Sequence, residues 1–283
     1  MATSSNNERR GRHELLVAIC NIFCKARSSR RAVCSTPESV NWDVTSATDF
    51  SYSGTELEAV AEAKNYYNWI IDSFAGRIGS RAVEAGAGIG TVSDLILMRA
   101  DPSELVLIEP DTGNAEALRR RFKSDARVDV RHGYLEQFAP SLNANSVIAV
   151  NVLEHVEHDA EFLRAAHSAL VPGGYLLILV PALPAIFGSL DRAFDHYRRY
   201  TRAGLTSRIQ SAGFEIETLH YLNMLGVAAW YASGRIMQRT TLGRGQVRFY
   251  DRFVVPALRQ IETLVKPPIG QSLLAIARKR SPG

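Results

Sequence analysis

From residue 81 onward, short apolar runs alternate with amphipathic stretches at a regular interval. Runs near 81–85, 104–108, 127–131, 146–151 and 174–180 have the length and composition of buried strands. Between them, apolar positions recur at helical spacing near 91–99, 112–123 and 158–170. Strands that alternate with helices predict a parallel sheet wrapped by helices. Two later runs, 214–221 and 272–278, extend the sheet, and the 222–270 segment between them is longer than a hairpin needs. Upstream, Thr55 with Glu58 three residues on makes a capping box, and a helix is expected to continue from Ala59 to Phe74. Residues 1–50 are rich in Ser, Thr, Asn and Arg and read as a partly disordered extension with one possible helix near 13–26; residues 51–283 read as the working domain.

The 283 residues are 46% hydrophobic, enough for a sizeable core. No stretch reaches 18 consecutive apolar residues, so no transmembrane segment is predicted. The apolar run 15–24 follows Arg9, Arg10 and Arg12 like a secretory leader, but Asn21 interrupts it and no convincing cleavage site follows; a cytoplasmic protein is expected. Cys20, Cys24 and Cys34 form neither an even disulfide framework nor a zinc spacing. The net charge of +4 is uneven: residues 1–31 carry seven Arg and Lys against Glu8 and Glu14. A basic tail on a nearly neutral body argues against a nucleic-acid partner and leaves peripheral contact with anionic lipid open.

Chemistry concentrates at the first strand. Val83 to Thr91 carries Glu84 and then Gly86, Gly88 and Gly90, so the backbone can turn tightly and approach a ligand. About 20 residues on, the second strand ends in Glu109-Pro110-Asp111, where a ribose-binding carboxylate belongs. That spacing also suits nicotinamide enzymes, but E-x-G-x-G-x-G departs from their G-x-G-x-x-G. The pattern resembles motif I of the class I, seven-stranded S-adenosylmethionine-dependent methyltransferases, and 105–111 resembles the acidic loop that follows it. Residues 147–156 resemble their fourth-strand motif, and Leu170-Val171-Pro172-Gly173-Gly174-Tyr175-Leu176 resembles the turn into their fifth strand. The resemblance implies a doubly wound, Rossmann-like α/β fold with a seven-stranded mixed sheet, its last two strands antiparallel at one edge, an N-terminal helical extension and a helical insertion before the last strand. It implies S-adenosylmethionine as cofactor, bordered by Glu84, Gly86, Gly88, Gly90, Glu109, Pro110 and Asn151, with backbone amides at Tyr134 or Leu135 near the adenine.

Asn151-Val152-Leu153-Glu154-His155 lies where the fourth strand empties into a site, and His155 is a candidate base. The segment resembles an acid-acid-His metal pattern of some RNA and ubiquinone-pathway O-methyltransferases, but Asn151 replaces the first carboxylate, so no metal is expected. The loop after the fifth strand contains Asp191 and His196-Tyr197-Arg198-Arg199-Tyr200-Thr201 and resembles a segment of a bacterial small-molecule subgroup, with Asp195 where that subgroup has glycine. His196 is a second candidate acid or base. Arg198 and Arg199 could pair with an acceptor carboxylate or, with Asp191, clamp the loop. The expected function is methyl transfer to a small, hydrophobic, possibly lipid-like acceptor, with oxygen preferred to nitrogen or carbon; Tyr221, Met224, Trp230, Tyr231, Ile236 and Met237 either line its pocket or belong to the core. A nicotinamide oxidoreductase and a non-catalytic, cofactor-binding partner module are the rival readings.

Overall fold

The computed structural model describes residues 56–281. Seven strands form one sheet in the order β3-β2-β1-β4-β5-β7-β6, with β1 Arg81–Ala85, β2 Glu104–Glu109, β3 Val128–His132, β4 Ala144–Val150, β5 Leu170–Pro181, β6 Phe214–Leu222 and β7 Ser272–Lys279. The first five run parallel, and β7 pairs antiparallel with both β5 and β6. This is the expected Rossmann-like, seven-stranded mixed sheet. Strand order reverses between β1 and β4, so the cleft at their carboxyl ends is the switch point of the sheet.

Side chains alternate between two cores, as the pleat requires. On one face, Leu176, Ile178 and Val180 of β5 meet Leu273, Ala275 and Ala277 of β7 beneath the helices Leu135–Leu142, Asp159–Ala169 and Arg202–Ser211. On the other, Leu177 and Leu179 join Leu274 and Ile276 beneath Lys64–Phe74, Thr91–Arg99, Thr112–Arg121 and Val255–Leu264. Ile70, Ile71 and Phe74 are fully buried there, so the helix preceding β1 belongs to the core.

Several local expectations change. The single helix expected over 59–74 is two, Glu56–Val60 and Lys64–Phe74. The second lacks a cap from its own flank; instead Asp251 accepts from the backbone N–H groups of Asn65 and Tyr66, both at 2.9 Å. The Pro172-Gly173-Gly174 turn lies within β5, which begins at Leu170 and takes up the extra residues as a register shift between Ala144 and Ser146 of β4. Helices Leu135–Leu142 and Arg202–Ser211 were not anticipated. The insertion is helical as expected: Met224–Tyr231, a π turn Ala232–Ile236, Arg244–Phe253 and Val255–Leu264. The N-terminal extension and the Thr55 cap lie outside the described residues. No helix among the described residues is long and apolar enough to cross a membrane.

Candidate active site

At the end of β1 the chain turns through Gly86, Gly88 and Gly90, all with positive φ (72°, 55° and 85°), conformations that glycine adopts without a Cβ penalty. Glu109 fixes that turn: its Oε2 accepts from Gly88 N at 2.7 Å and its Oε1 from Asp111 N at 3.0 Å. Beside the turn lies a cavity of about 720 Å³, which Glu84, Gly86, Gly88, Asn151, His155 and His196 all help to line. The structure therefore brings six of the expected residues together. Gly90, Glu109, Pro110, Tyr134 and Leu135 do not line it. Gly90 faces Leu118 and Phe122, Leu135 is buried in the core, and Tyr134 is exposed at the start of the following helix. Glu109 stands behind the glycine turn, its carboxylate held by Gly88, Asp111 and the Asn114 side chain.

Glu84 is buried, and among the described residues the one hydrogen bond its carboxylate accepts is from Ser93 Oγ, at 2.6 Å. Burial pushes its carboxyl up to about 8, the Ser93 bond opposing and the Glu109 charge reinforcing the shift. A buried carboxylate with so little compensation, at the mouth of a strand, suits the cationic methionine end of S-adenosylmethionine.

The second half of the cavity is organised by Asp191, fully buried on a short helix, Ser189–Ala193. Its carboxylate accepts from Gly188 N (2.9 Å), Trp230 Nε1 (3.0 Å) and Arg199 Nη1 (2.8 Å), and lies 3.1 Å from His196 Nδ1. Burial pushes the Asp191 carboxyl up, but the bonds from His196, Arg199, Trp230 and Gly188 overcome it and hold it at about 2. An ionised carboxylate only accepts, so the proton on His196 Nδ1 points at Asp191 and the Nε2 side of the ring is turned away from it. His155 lies edge to face against His196, ring centroids 4.8 Å apart. Burial, reinforced by the charge of His196, lowers its pKa to about 3, so it is neutral and a weak base.

Asp195, in the glycine's place, adopts φ 54° itself, so the loop keeps the turn that a glycine would make. Arg199 is buried and committed: Nε donates to Ala182 O (2.6 Å), Nη1 to Asp191 and Nη2 to Gln271 O (3.1 Å). Arg198 donates to Glu157 O (2.6 Å) and pairs with Asp159. Both arginines clamp the loop.

Glu154 was read as part of a motif and not as a site residue. It is 1% exposed, its Oε2 has no hydrogen-bond partner among the described residues, and burial pushes its carboxyl up to about 7 against the pull of His196 and Arg199. Donor atoms of Glu154, His155 and His196 lie within 4.8 Å of one another, so these three residues are the ones able to hold a metal ion among those described. The insertion covers the cavity: Trp230 and Met237 line it, while Met224, Tyr231, Ile236 and Met237 are exposed, which removes the core explanation for those four.

A sequence profile of the family described as "Methyltransferase domain" matches residues 52–219, more than half of the chain. The chain belongs to this family. The methyltransferase is 32% identical over 155 residues to a "probable S-adenosylmethionine-dependent methyltransferase" of Mycolicibacterium smegmatis, the match covering 53% of this chain and 58% of that protein. It is 27% identical over 167 residues to a ubiquinone biosynthesis O-methyltransferase of Pseudomonas aeruginosa, covering 54% and 71%. Among solved structures, geranyl diphosphate methyltransferase in complex with GPP and sinefungin superimposes with a TM-score of 0.55 at 13% identity over 76% of each chain. Phosphoethanolamine N-methyltransferase 2 of Haemonchus contortus, solved with S-adenosylhomocysteine, gives 0.55 at 15% identity over 82% of this chain and 58% of that one. Membership of this family sets the nicotinamide reading aside.

Proposed function

We propose that this methyltransferase methylates an oxygen atom of a hydrophobic small molecule, with His196 as the base and Asp191 as the residue that positions it. The observation that carries the reading is the His196–Asp191 contact at 3.1 Å: His196 lines the cavity, Asp191 is buried behind it, and the contact turns the Nδ1 proton to Asp191 so that Nε2 can receive one. His155, beside it, supplies a neutral edge that keeps the imidazole of His196 in place. The named activity of the ubiquinone-pathway relatives, transfer to oxygen, supports the same acceptor atom.

Glu84, Gly86, Gly88 and Asn151 would hold the cofactor, whose sulfonium supplies an electrophilic methyl group. Glu109 holds the glycine turn and would accept from the ribose hydroxyls. His196 Nε2 takes the acceptor's hydroxyl proton as the oxygen becomes nucleophilic, and the buried Asp191 carboxylate stabilises the imidazolium that forms. Trp230, Met237 and Phe249 give the acceptor side an apolar wall.

The test uses purified full-length protein, methyl-labelled S-adenosylmethionine and a panel of phenols and hydroxylated isoprenoids beside matched amines. Label in an ether or ester product 14 daltons heavier supports the reading. Transfer only to amines or to carbon overturns the oxygen assignment. Cofactor binding with no transfer to cellular extracts favours the partner-module reading.

A further inference from the structure

The insertion is unusual in what it turns outward. Of the fourteen large hydrophobic side chains exposed among the described residues, eleven lie between Met224 and Ile269. Phe249 and Phe253, one helical turn apart, stack on each other at 5.1 Å with both rings in solvent (63% and 60% exposed). Ile261 and Leu264 share one face of the next helix by their spacing, Leu264 is 87% exposed, and Val265 just past the helix end is exposed as well. An exposed apolar surface of this kind requires a covering partner.

Charge identifies the partner. Residues 224–270 contain seven Arg and Lys against two acids, Asp251 and Glu262. Both acids are buried and spent on helix ends: Asp251 accepts from Asn65 and Tyr66, and Glu262 from Asn223 N (3.0 Å) and Met224 N (2.8 Å). The cations point the other way. Arg244, Arg248 and Arg259 pair with Glu58, Glu62 and Asp72, whereas Arg235, Arg252 and Lys266 make no ion pair among the described residues. Arg252 lies over the Phe253 ring at 5.6 Å, so cation and apolar group share one patch. The outward face is therefore both apolar and basic, the composition that inserts shallowly into an anionic bilayer. A second copy would oppose one basic face to another, and residues 1–31 carry a net +5 of their own, so neither is electrostatically matched.

The cavity opens on this same surface, since Met237 and Phe249 both line it and are exposed. We propose that the insertion docks the enzyme on an anionic lipid surface, from which a membrane-dissolved acceptor enters the cavity. The second clause rests on the acceptor reading above; the docking itself does not.

Docking is tested with full-length protein and vesicles of phosphatidylcholine alone or mixed in equal parts with phosphatidylglycerol, followed by flotation. Binding to the mixed vesicles, weakening with salt, is expected, with little to phosphatidylcholine alone. Phe253→Ser with Leu264→Ser should cut vesicle affinity roughly tenfold, and Arg235→Gln with Arg252→Gln by about fivefold per charge. None of these four residues lines the cavity, so S-adenosylmethionine affinity and transfer to a water-soluble acceptor should stay at the wild-type level, which shows that the variants fold. Unchanged vesicle binding in the variants, with loss when Arg9, Arg10 and Arg12 are neutralised, would assign attachment to the N-terminus and overturn the proposal. So would a dimer in light scattering that the Phe253 and Leu264 changes dissociate, with no vesicle binding. Vesicle binding as expected but no activity on any lipid acceptor would leave docking standing and remove the acceptor reading.

Discussion

The indole N–H of Trp230 donates to the Asp191 carboxylate at 3.0 Å, so a residue of the insertion helps to hold the carboxylate that holds His196. Trp230 also packs against Phe194 and lies beneath the Arg199 guanidinium at 5.1 Å. Trp230→Phe keeps an aromatic ring but loses the donor. It should lower kcat about tenfold, the worth of one hydrogen bond to a charged group. Trp230→Ala should also raise KM for the acceptor, because it removes cavity wall. In both, calorimetry should find S-adenosylmethionine affinity within about twofold of wild type. Weakened cofactor binding with normal acceptor kinetics would remove the insertion from acceptor recognition.

The two histidines should separate cleanly. His196→Ala should reduce kcat by roughly 10² to 10⁴ with cofactor affinity unchanged. His155→Ala, which removes a neutral neighbour with a pKa near 3, should cost far less. Single-turnover rates measure both. The reverse order would transfer the base to His155, and activity lost on chelation and restored by a divalent cation would point to the Glu154, His155 and His196 donors as a metal site.

Glu84 makes stability depend on pH. Its folded carboxyl titrates near 8 against an ordinary 4.5, so the folded protein holds a proton that the unfolded chain releases. The stability this confers is fully present below pH 4.5 and is lost as pH rises through 8. Glu84→Gln should therefore be more stable than wild type at pH 9, by something on the order of 1 to 3 kcal/mol, the advantage shrinking towards pH 4.5. Urea denaturation at the two pH values measures this. A cation bound beside Glu84 favours its ionised form, so wild-type affinity for S-adenosylmethionine should tighten from pH 6.5 to 9, and Glu84→Gln should flatten that trend.

Asp251→Ala strands the N–H groups of Asn65 and Tyr66 at the start of a core helix. A loss of about 2 to 4 kcal/mol is expected, which thermal unfolding will register. Asp251→Asn retains acceptor oxygen and should recover about half of it. An unperturbed melting temperature in the Ala variant would mean that the insertion does not hold this helix.

Glu109→Ala should weaken S-adenosylmethionine binding by roughly 1 to 3 kcal/mol. Because Glu109 also accepts from Gly88 and Asp111, the empty protein should lose stability as well. Full affinity in a folded variant would remove Glu109 from the site.

The sheet was legible because its strands obey one period and its helices another: β1, β2 and the helix Thr91–Arg99 fall within a residue of expectation. Helix Leu135–Leu142 was not legible, since Pro140 lies within it. The break at 61–63 escaped notice because the acid that caps the next helix is 186 residues away in the chain. Within the cavity, Glu84, Gly86, Gly88, Asn151, His155 and His196 could be named from strand ends and turns. Ranking the histidines could not, because it depends on burial and on Trp230 reaching Asp191 across 39 positions. For Arg198 and Arg199 the sequence left acceptor binding and a loop clamp both open, because the choice depends on partners far along the chain.

The insertion leaves β6 at Leu222 and re-enters β7 at Ser272, and those two residues are register partners. Gly270 passes so close to the Leu222 backbone that a Cβ would collide with it, so the two ends of the segment are pinched together at the sheet edge. A loop whose ends already touch can be exchanged for one of another length without disturbing any strand pair. Strand pairing therefore does not fix the length of this segment; what ties it to the rest of the fold is Asp251 at the core helix, Trp230 at Asp191, and Val255 and Leu258 in the core. A graft between Leu222 and Gly270 has to bring those four contacts with it.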